Sequence, residues 1–247
     1  GKFDDAMSSF KDVLRMRKLK FGQFHRSVAL TMNNIGNIYN VKKMYQKALE
    51  TYQETLRVMN ICYNNKPHPQ VANTLDNIAS VHGKLEEFDK AVQLFQESLS
   101  MKRSFQSPSS EKYVGIDGRS LHADIASSLK DIGNIYYQQR KSDEAIVVYK
   151  EALLEKNLAS EEDDLDIAEI FYNLGNVYFL DKRYDDAMSS YEESLRIKQM
   201  LLGDCMQVAD TLSIIGNIHQ SKGDNKAATE VYSEVQRIIH SVRNISQ

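Results

Sequence analysis

The sequence predicts an all-α chain, an array of antiparallel helical hairpins, and three observations predict it. Five segments align without gaps, starting at Ala29, Ala72, Ala126, Ala168 and Ala209, so successive starts lie 43, 54, 42 and 41 residues apart. Within each segment the apolar residues recur with helical spacing and not with strand alternation. Glycine (11) and proline (3) are sparse among 247 residues, which favours helices joined by short turns.

Each element of the hairpin follows from a column of the alignment. Helix A runs from the leading alanine for about 13 residues. It carries a large apolar column (Met32, Leu75, Leu129, Phe171, Leu212), then Ile35, Ile78, Ile132, Leu174 and Ile215. A small-residue column follows at Gly36, Ala79, Gly133, Gly175 and Gly216. A polar turn such as NVKK or LDKR comes next, and helix B begins near Tyr45, Phe88, Ser142, Tyr184 and Asn225. Helix B presents Ala48, Ala91, Ala145, Ala187 and Ala228, each followed four residues later by an aromatic: Tyr52, Phe95, Tyr149, Tyr191 and Tyr232. The small residues let two helices approach to the short end of the ~8–10 Å packing range, and the aromatic fills the space beside them. Glycine within a helix costs ~1 kcal/mol against alanine, and close packing is the expected compensation.

The expected repeats span residues 25–65, 68–103, 122–160, 164–203 and 205–241. Residues 1–22 match helix B alone, with Ala6 and Phe10 in its columns. The chain therefore opens in mid-repeat and reads as a piece of a longer protein, since a solenoid end normally carries a polar cap. Residues 104–120, rich in Ser and Gly with Pro108, read as an inserted loop, and residues 242–247 as a tail. The acidic run Glu161–Asp166 precedes a helix start, where the helix dipole favours negative charge.

Composition excludes several classes. Thirty-one Lys and Arg against 34 Asp and Glu give a net charge of −3, which argues against a nucleic-acid binder. The densest basic run, Arg15–Lys20, reads as a solvated helix face. No stretch approaches ~18 apolar residues, so no membrane span is expected. Two cysteines are too few for a disulfide-stapled fold, and a cytoplasmic location is expected. No phosphate loop, dinucleotide fingerprint or zinc-protease motif occurs. His25, His68 and His122 occupy equivalent places in successive repeats, about a helix-packing distance apart, too far to share a metal bound at ~2 Å. His82 and His219 stand in a core column otherwise occupied by Tyr. No catalytic residue, metal site or cofactor is expected.

The spacing of Phe171, Leu174, Gly175, Tyr178, Ala187 and Tyr191 resembles the tetratricopeptide repeat. The period of about 42 exceeds that repeat's usual 34. Lead-ins HRSVA (His25–Ala29), HPQVA (His68–Ala72) and HADIA (His122–Ala126), with TLDNIASVH and RIKQMLLG, are similar to kinesin light chain repeats. Two lead-ins depart, as DLDIA and CMQVA. Lys43, Glu86, Arg140 and Lys182 stand where that family keeps a turn glycine, and Gly223 alone retains it. The resemblance implies a right-handed superhelical solenoid with the A helices lining its concave side. It also implies a non-catalytic scaffold that binds an extended peptide or protein segment in the groove, as in cargo or adaptor recognition.

On that geometry the inward-pointing candidates are Asn33, Asn34 and Asn37 in the first repeat, Asn77 in the second, and Lys130, Asn134 and Tyr137 in the third. Tyr172, Asn173 and Asn176 follow in the fourth, and Asn217 in the fifth. Asparagine is a poor helix former, so its recurrence on one face asks for a reason. Its amide offers one acceptor and two donor hydrogens, which suits an extended peptide backbone. The competing role for Asn37, Asn134, Asn176 and Asn217 is to brace adjacent hairpins. Tyr137, Tyr172 and Phe179 either form an apolar pocket or cover neighbouring helices. In relatives that clamp a terminal carboxylate, the matching positions are Lys130, Asn134 and Asn173, but Asp210 and Ile214 stand where two cations belong. Two alternatives remain: a structural or self-associating solenoid, and a regulatory arm of an enzyme lying outside this chain.

Overall fold

A computed structural model describes residues 2–106, 117–160 and 164–245. Among the described residues the regular structure is entirely α-helical. In chain order the helices are α1 (Lys2–Phe21), α2 (Arg26–Val41), α3 (Tyr45–Cys62), α4 (Pro69–Lys84), α5 (Phe88–Ser104) and α6 (Gly118–Gln138). They continue with α7 (Ser142–Ala159), α8 (Leu165–Leu180), α9 (Tyr184–Leu202), α10 (Met206–Ser221) and α11 (Asn225–Ile245). The B helices begin at the five positions the turn pattern predicts. The A helices start earlier than their leading alanines, because a side chain caps each of three one turn ahead. The imidazole Nδ1 of His25 accepts from the Ser27 amide at 3.2 Å, and that of His68 from the Gln70 amide at 3.2 Å. The Asp164 carboxylate accepts from the Ile167 amide at 2.8 Å. Such caps satisfy helix-end donors that otherwise lack a partner.

Two boundaries differ from the sequence reading. The inserted loop was expected to reach residue 120, but α6 already begins at Gly118. Leu121 and Ile125 are buried, which carries the apolar stripe of α6 a turn further forward. The rest of that insertion, residues 107–116, lies outside the described residues, as do Glu161–Asp163 of the acidic run. At the other end α11 continues to Ile245, where a tail from 242 was expected. Val242 packs on the cluster of Val208, Leu212, Val235 and Ile238, which gives the additional turn an apolar anchor.

Packing divides the chain into two compact units, Gly1–Ile135 and Tyr136–Gln247. In the first, α2 pairs with α3 and α4 with α5, while α1 lies on α2 and α3 on α4. Its core joins Ala29, Val58, Met59, Val71 and Leu75 with a second cluster of Ala48, Leu49, Tyr52, Ile78 and Val81. In the second unit α8 pairs with α9 and α10 with α11, while α7 lies on α8 and α9 on α10. Its core includes Ile167, Ala168 and Ile197 beside the α10–α11 cluster. Ala29, Ala72, Ala168, Ala48, Ala91 and Ala187 are wholly buried, as close helix approach requires.

The glycine column has a physical partner. A methyl group placed on Gly175 would meet the Tyr191 ring at 2.9 Å, and one on Gly216 the Tyr232 ring at 2.6 Å. The α4–α5 hairpin carries Ala79 there and Phe95 in the aromatic column, both buried. The A-to-B corners are left-handed even without glycine: φ is 58° at Lys43, 61° at Glu86, 58° at Arg140 and 58° at Lys182. This conformation costs a residue with a side chain roughly 1–2 kcal/mol. Gly223 adopts it (φ 83°) without that penalty.

Candidate functional site

The recurrent asparagines serve two local purposes. In three hairpins the amide following the glycine accepts a hydrogen bond from that hairpin's own tyrosine. The Tyr52 hydroxyl donates to Asn37 Oδ1 at 2.6 Å, Tyr191 to Asn176 at 2.6 Å and Tyr232 to Asn217 at 2.7 Å. The brace thus runs within a hairpin, whereas the competing role read from sequence placed it between adjacent hairpins. Burial pushes the Tyr52 hydroxyl up to about 12, since the phenolate is poorly solvated there, and raises that of Tyr191 further. In the α4–α5 hairpin Phe95 has no hydroxyl, and Ser80 replaces the asparagine. The identities of the glycine, asparagine and tyrosine therefore vary together.

The second purpose links successive A helices of the first unit. Asn77 Nδ2 on α4 donates to Asn33 Oδ1 on α2 at 3.1 Å, and Lys84 Nζ donates to Asn40 Oδ1 at 2.8 Å. Asn34 stands apart from this pair. With Asn37 it lines a cleft of about 310 Å³ beside Phe3, Phe10, Ile38 and Val41. Lys130 and Asn134 lie on α6 in the first unit, both half-buried. Tyr137, at the end of α6, belongs to the second unit and is 37% exposed.

In the second unit, Tyr172 and Asn173 share a cleft of about 480 Å³ between α8, α9 and α10. Leu165, Asp166, Glu169, Lys198, Gln207 and Asp210 complete its lining. Asn176 and Asn217 are not among these residues. The Tyr172 and Tyr191 rings meet in a T-shaped arrangement, 5.5 Å between centroids, and Tyr172 offers its face to the Lys198 ammonium, 4.3 Å from its centroid. Lys198 Nζ also donates to Thr211 Oγ1 at 3.0 Å. Desolvation holds the Lys198 ammonium below the usual lysine range, although the charges of Asp210 and Glu169 oppose that shift. Burial raises the Tyr172 hydroxyl, and the Asp210 carboxylate adds to the effect.

Lys198 was absent from the sequence reading, yet a signal for it exists. Lys102, Lys156 and Lys198 each lie eleven residues after the helix B alanine, and Arg17 holds that place in α1. All three lysines are buried. Lys102 Nζ meets Asp76 at 2.5 Å, Ser128 Oγ at 2.9 Å and the Asp124 carbonyl at 3.0 Å. Lys156 Nζ meets Asp166 at 2.6 Å and Asp164 at 2.8 Å. Although burial works against its charge, these two carboxylates raise its affinity for the proton. Arg17 Nη1 donates to Thr31 Oγ1 at 2.8 Å. The column is a set of cationic joints, each tying a B helix to the following segment.

His82 does not simply fill its tyrosine column. Its Nδ1 lies 2.6 Å from the Glu87 carboxylate at the head of α5. Cys62 and Cys205 are both unpaired thiols. None of the described helices is long and apolar enough to cross a membrane.

Paired helices with alanine and glycine seams, an aromatic wedge and polar A-helix faces define a helical-repeat scaffold. The tetratricopeptide repeat model matches residues 27–104 and 166–239, and a second model of the same description matches 130–199. The chain belongs to the tetratricopeptide repeat family, whose fold is that of a protein-interaction scaffold. Among solved structures it is similar to BtubC (BKLC) from P. vanneervenii, at 19% identity over 98% of this chain and 93% of that one, with a TM-score of 0.78. A putative kinesin light chain with nearly identical TPR-like repeats from Podosopora anserina aligns at 13% identity over 88% and 98%, TM-score 0.69. MamA from Desulfovibrio magneticus RS-1 aligns at 16% over 86% and 96%, TM-score 0.59. At these identities the likeness concerns the fold, and the expected resemblance to kinesin light chain repeats holds at that level. No curated protein matches the chain.

Proposed function

We propose that the chain is a non-catalytic scaffold that holds a short extended segment of a partner protein against its A helices. The observation that carries this reading is the α8–α10 cleft. Its lining mixes an aromatic ring, a carboxamide, carboxylates and a buried ammonium, which offers a peptide backbone both donors and acceptors. Asn33, Asn34, Asn37, Asn77, Lys130, Asn134 and Tyr137 extend the proposed contact set beyond Tyr172, Asn173, Asn176 and Asn217. For Asn37, Asn176 and Asn217 the oxygen is committed to tyrosine, so they would serve through their amide hydrogens. Cargo or adaptor recognition of the kinesin light chain kind, in a reducing cytoplasm that keeps both thiols unpaired, is the setting this reading favours.

The test is a titration. A partner recovered from lysate is reduced to a short synthetic peptide and measured against the wild-type chain and the Tyr172→Ala, Asn173→Ala double variant. At least a tenfold loss is expected, equivalent to about 1.4 kcal/mol. Unchanged affinity overturns the proposal. A second reading, self-association, draws on α1, where Met16 is 67% and Leu19 78% exposed. Sedimentation at several concentrations separates the two, because only self-association makes the mass depend on concentration.

A further inference from the structure

The three buried lysines differ in what answers them. An ammonium carries three donor hydrogens and is costly to bury without acceptors. Lys102, 3% exposed, finds a carboxylate, a hydroxyl and a carbonyl. Lys156 finds two carboxylates. Lys198, 9% exposed, hydrogen-bonds to the Thr211 hydroxyl alone among the described residues and otherwise meets the Tyr172 face. The cause is legible in the repeat. Asp76, which answers Lys102, stands four residues after its helix A alanine, and Tyr172 occupies that place in the fourth repeat. Where the α4–α5 hairpin supplies its own acceptor, the α8–α9 hairpin has a ring and an open cleft of about 480 Å³.

The charge around that cleft selects the missing acceptor. Asp166, Glu169 and Asp210 line it, against one ammonium. Asp166 is engaged by Lys156, while Asp210 is exposed at the head of α10. With Asp166 answered by Lys156, an entering carboxylate would still meet the like charges of Glu169 and Asp210. A main-chain carbonyl meets none of that repulsion, and a cationic side chain beside it gains from Asp210 and Glu169. We propose that this cleft binds an extended peptide carrying Arg or Lys, with a peptide carbonyl on Lys198 Nζ and the basic side chain on the Asp210–Glu169 side. This rests on the peptide-binding reading above and adds the chemistry of the ligand.

The experiment uses the full chain and three short degenerate peptide pools with Arg, Glu or Ala fixed at the centre, followed by fluorescence anisotropy at low and moderate salt. The Arg pool is expected to bind about tenfold tighter than the Glu pool, with a preference that salt weakens. Asp210→Lys, a change at an exposed position, should abolish the preference. Lys198→Met should weaken every pool, and Lys198→Arg should restore part of the binding; thermal melts confirm that each variant folds. Preference for the Glu pool overturns the inference, as does indifference to Asp210→Lys. Equal binding of all pools that still falls with Lys198→Met would overturn the basic preference and leave the peptide groove standing. Failure of every pool to bind would overturn both.

Discussion

The α4–α5 and α8–α9 hairpins are built on one repeat and solve it differently. In both, a serine of helix B donates to the carbonyl of the leading alanine: Ser98 to Ala72 at 2.9 Å and Ser194 to Ala168 at 2.7 Å. In both, a buried lysine follows four residues later. The first hairpin then closes its joint with Asp76 and carries buried Ala79 and Phe95 in its seam columns. The second leaves its lysine under Tyr172 beside a cleft and seals its seam with Gly175 against Tyr191, tied by Asn176. In the first arrangement the ammonium finds all its acceptors within the protein, although Asp76 Oδ1 is buried without a hydrogen-bond partner among the described residues, and in the second the ammonium keeps bonding capacity for something else. A scaffold can thus keep one backbone repeat and vary only a few side chains to decide where a ligand fits.

The largest expected contrast lies at the two lysines. Lys102→Met should cost about 3 kcal/mol or more, because Asp76 loses its cation in a partly buried site. Lys198→Met, similar in volume and leaving no carboxylate within ion-pair distance, should cost less than about 1.5 kcal/mol. Urea unfolding of the two variants measures the difference, and equal losses would dissolve the comparison. Next in size is Gly175→Ala, where the added methyl meets the Tyr191 ring. About 1–3 kcal/mol of overpacking is expected, whereas the α4–α5 hairpin carries a buried alanine, Ala79, at that position. Tyr191→Phe should cost about 1 kcal/mol through loss of the bond to Asn176, read from the same melts.

Smaller still is the effect of acid on the caps. Desolvation lowers the His68 pKa from its ordinary 6.5, so the unfolded chain binds the proton more readily than the folded one. Stability from this group is therefore present at neutral pH and is lost as pH falls through 6.5 towards the folded value. Protonation also removes the lone pair that accepts from the Gln70 amide. His68→Asn should keep a cap while abolishing this component, so its melting temperature should fall less between pH 7.5 and pH 5 than the parent's. The gentlest test serves as a control. Glu86→Gly and Lys182→Gly relieve the same left-handed corner in the two hairpins, and each should gain a few tenths to about 1 kcal/mol. Unequal gains would show that the corners differ in more than their side chains.

The seams were legible from sequence because they are built by size. Alanine, glycine and tyrosine recur at fixed spacing, and only close packing explains glycine inside a helix. The helix B starts were equally plain, since each turn presents polar residues and then a new apolar period. The cationic joints were missed because a lysine in an amphipathic helix ordinarily reads as solvated. Its burial depends on a hydroxyl or carboxylate contributed by another helix, and only aligning Lys102, Lys156 and Lys198 across repeats exposes the pattern. The asparagines were found, but their partners were not. Asn176 and Tyr191 are fifteen residues apart, and nothing in either residue alone announces the bond. The start of α6 was hidden for a different reason, since Gly118 and Ser120 resemble loop while the burial of Leu121 decides the matter.

The four side-chain-bearing corners have a wider consequence. Each holds its strain at a single exposed residue between two well-packed helices, apart from the seams and the cationic joints. Changes there should sum almost independently, as distant substitutions do. Thermal resistance can therefore be dialled up or down at the bends without altering what the A helices present.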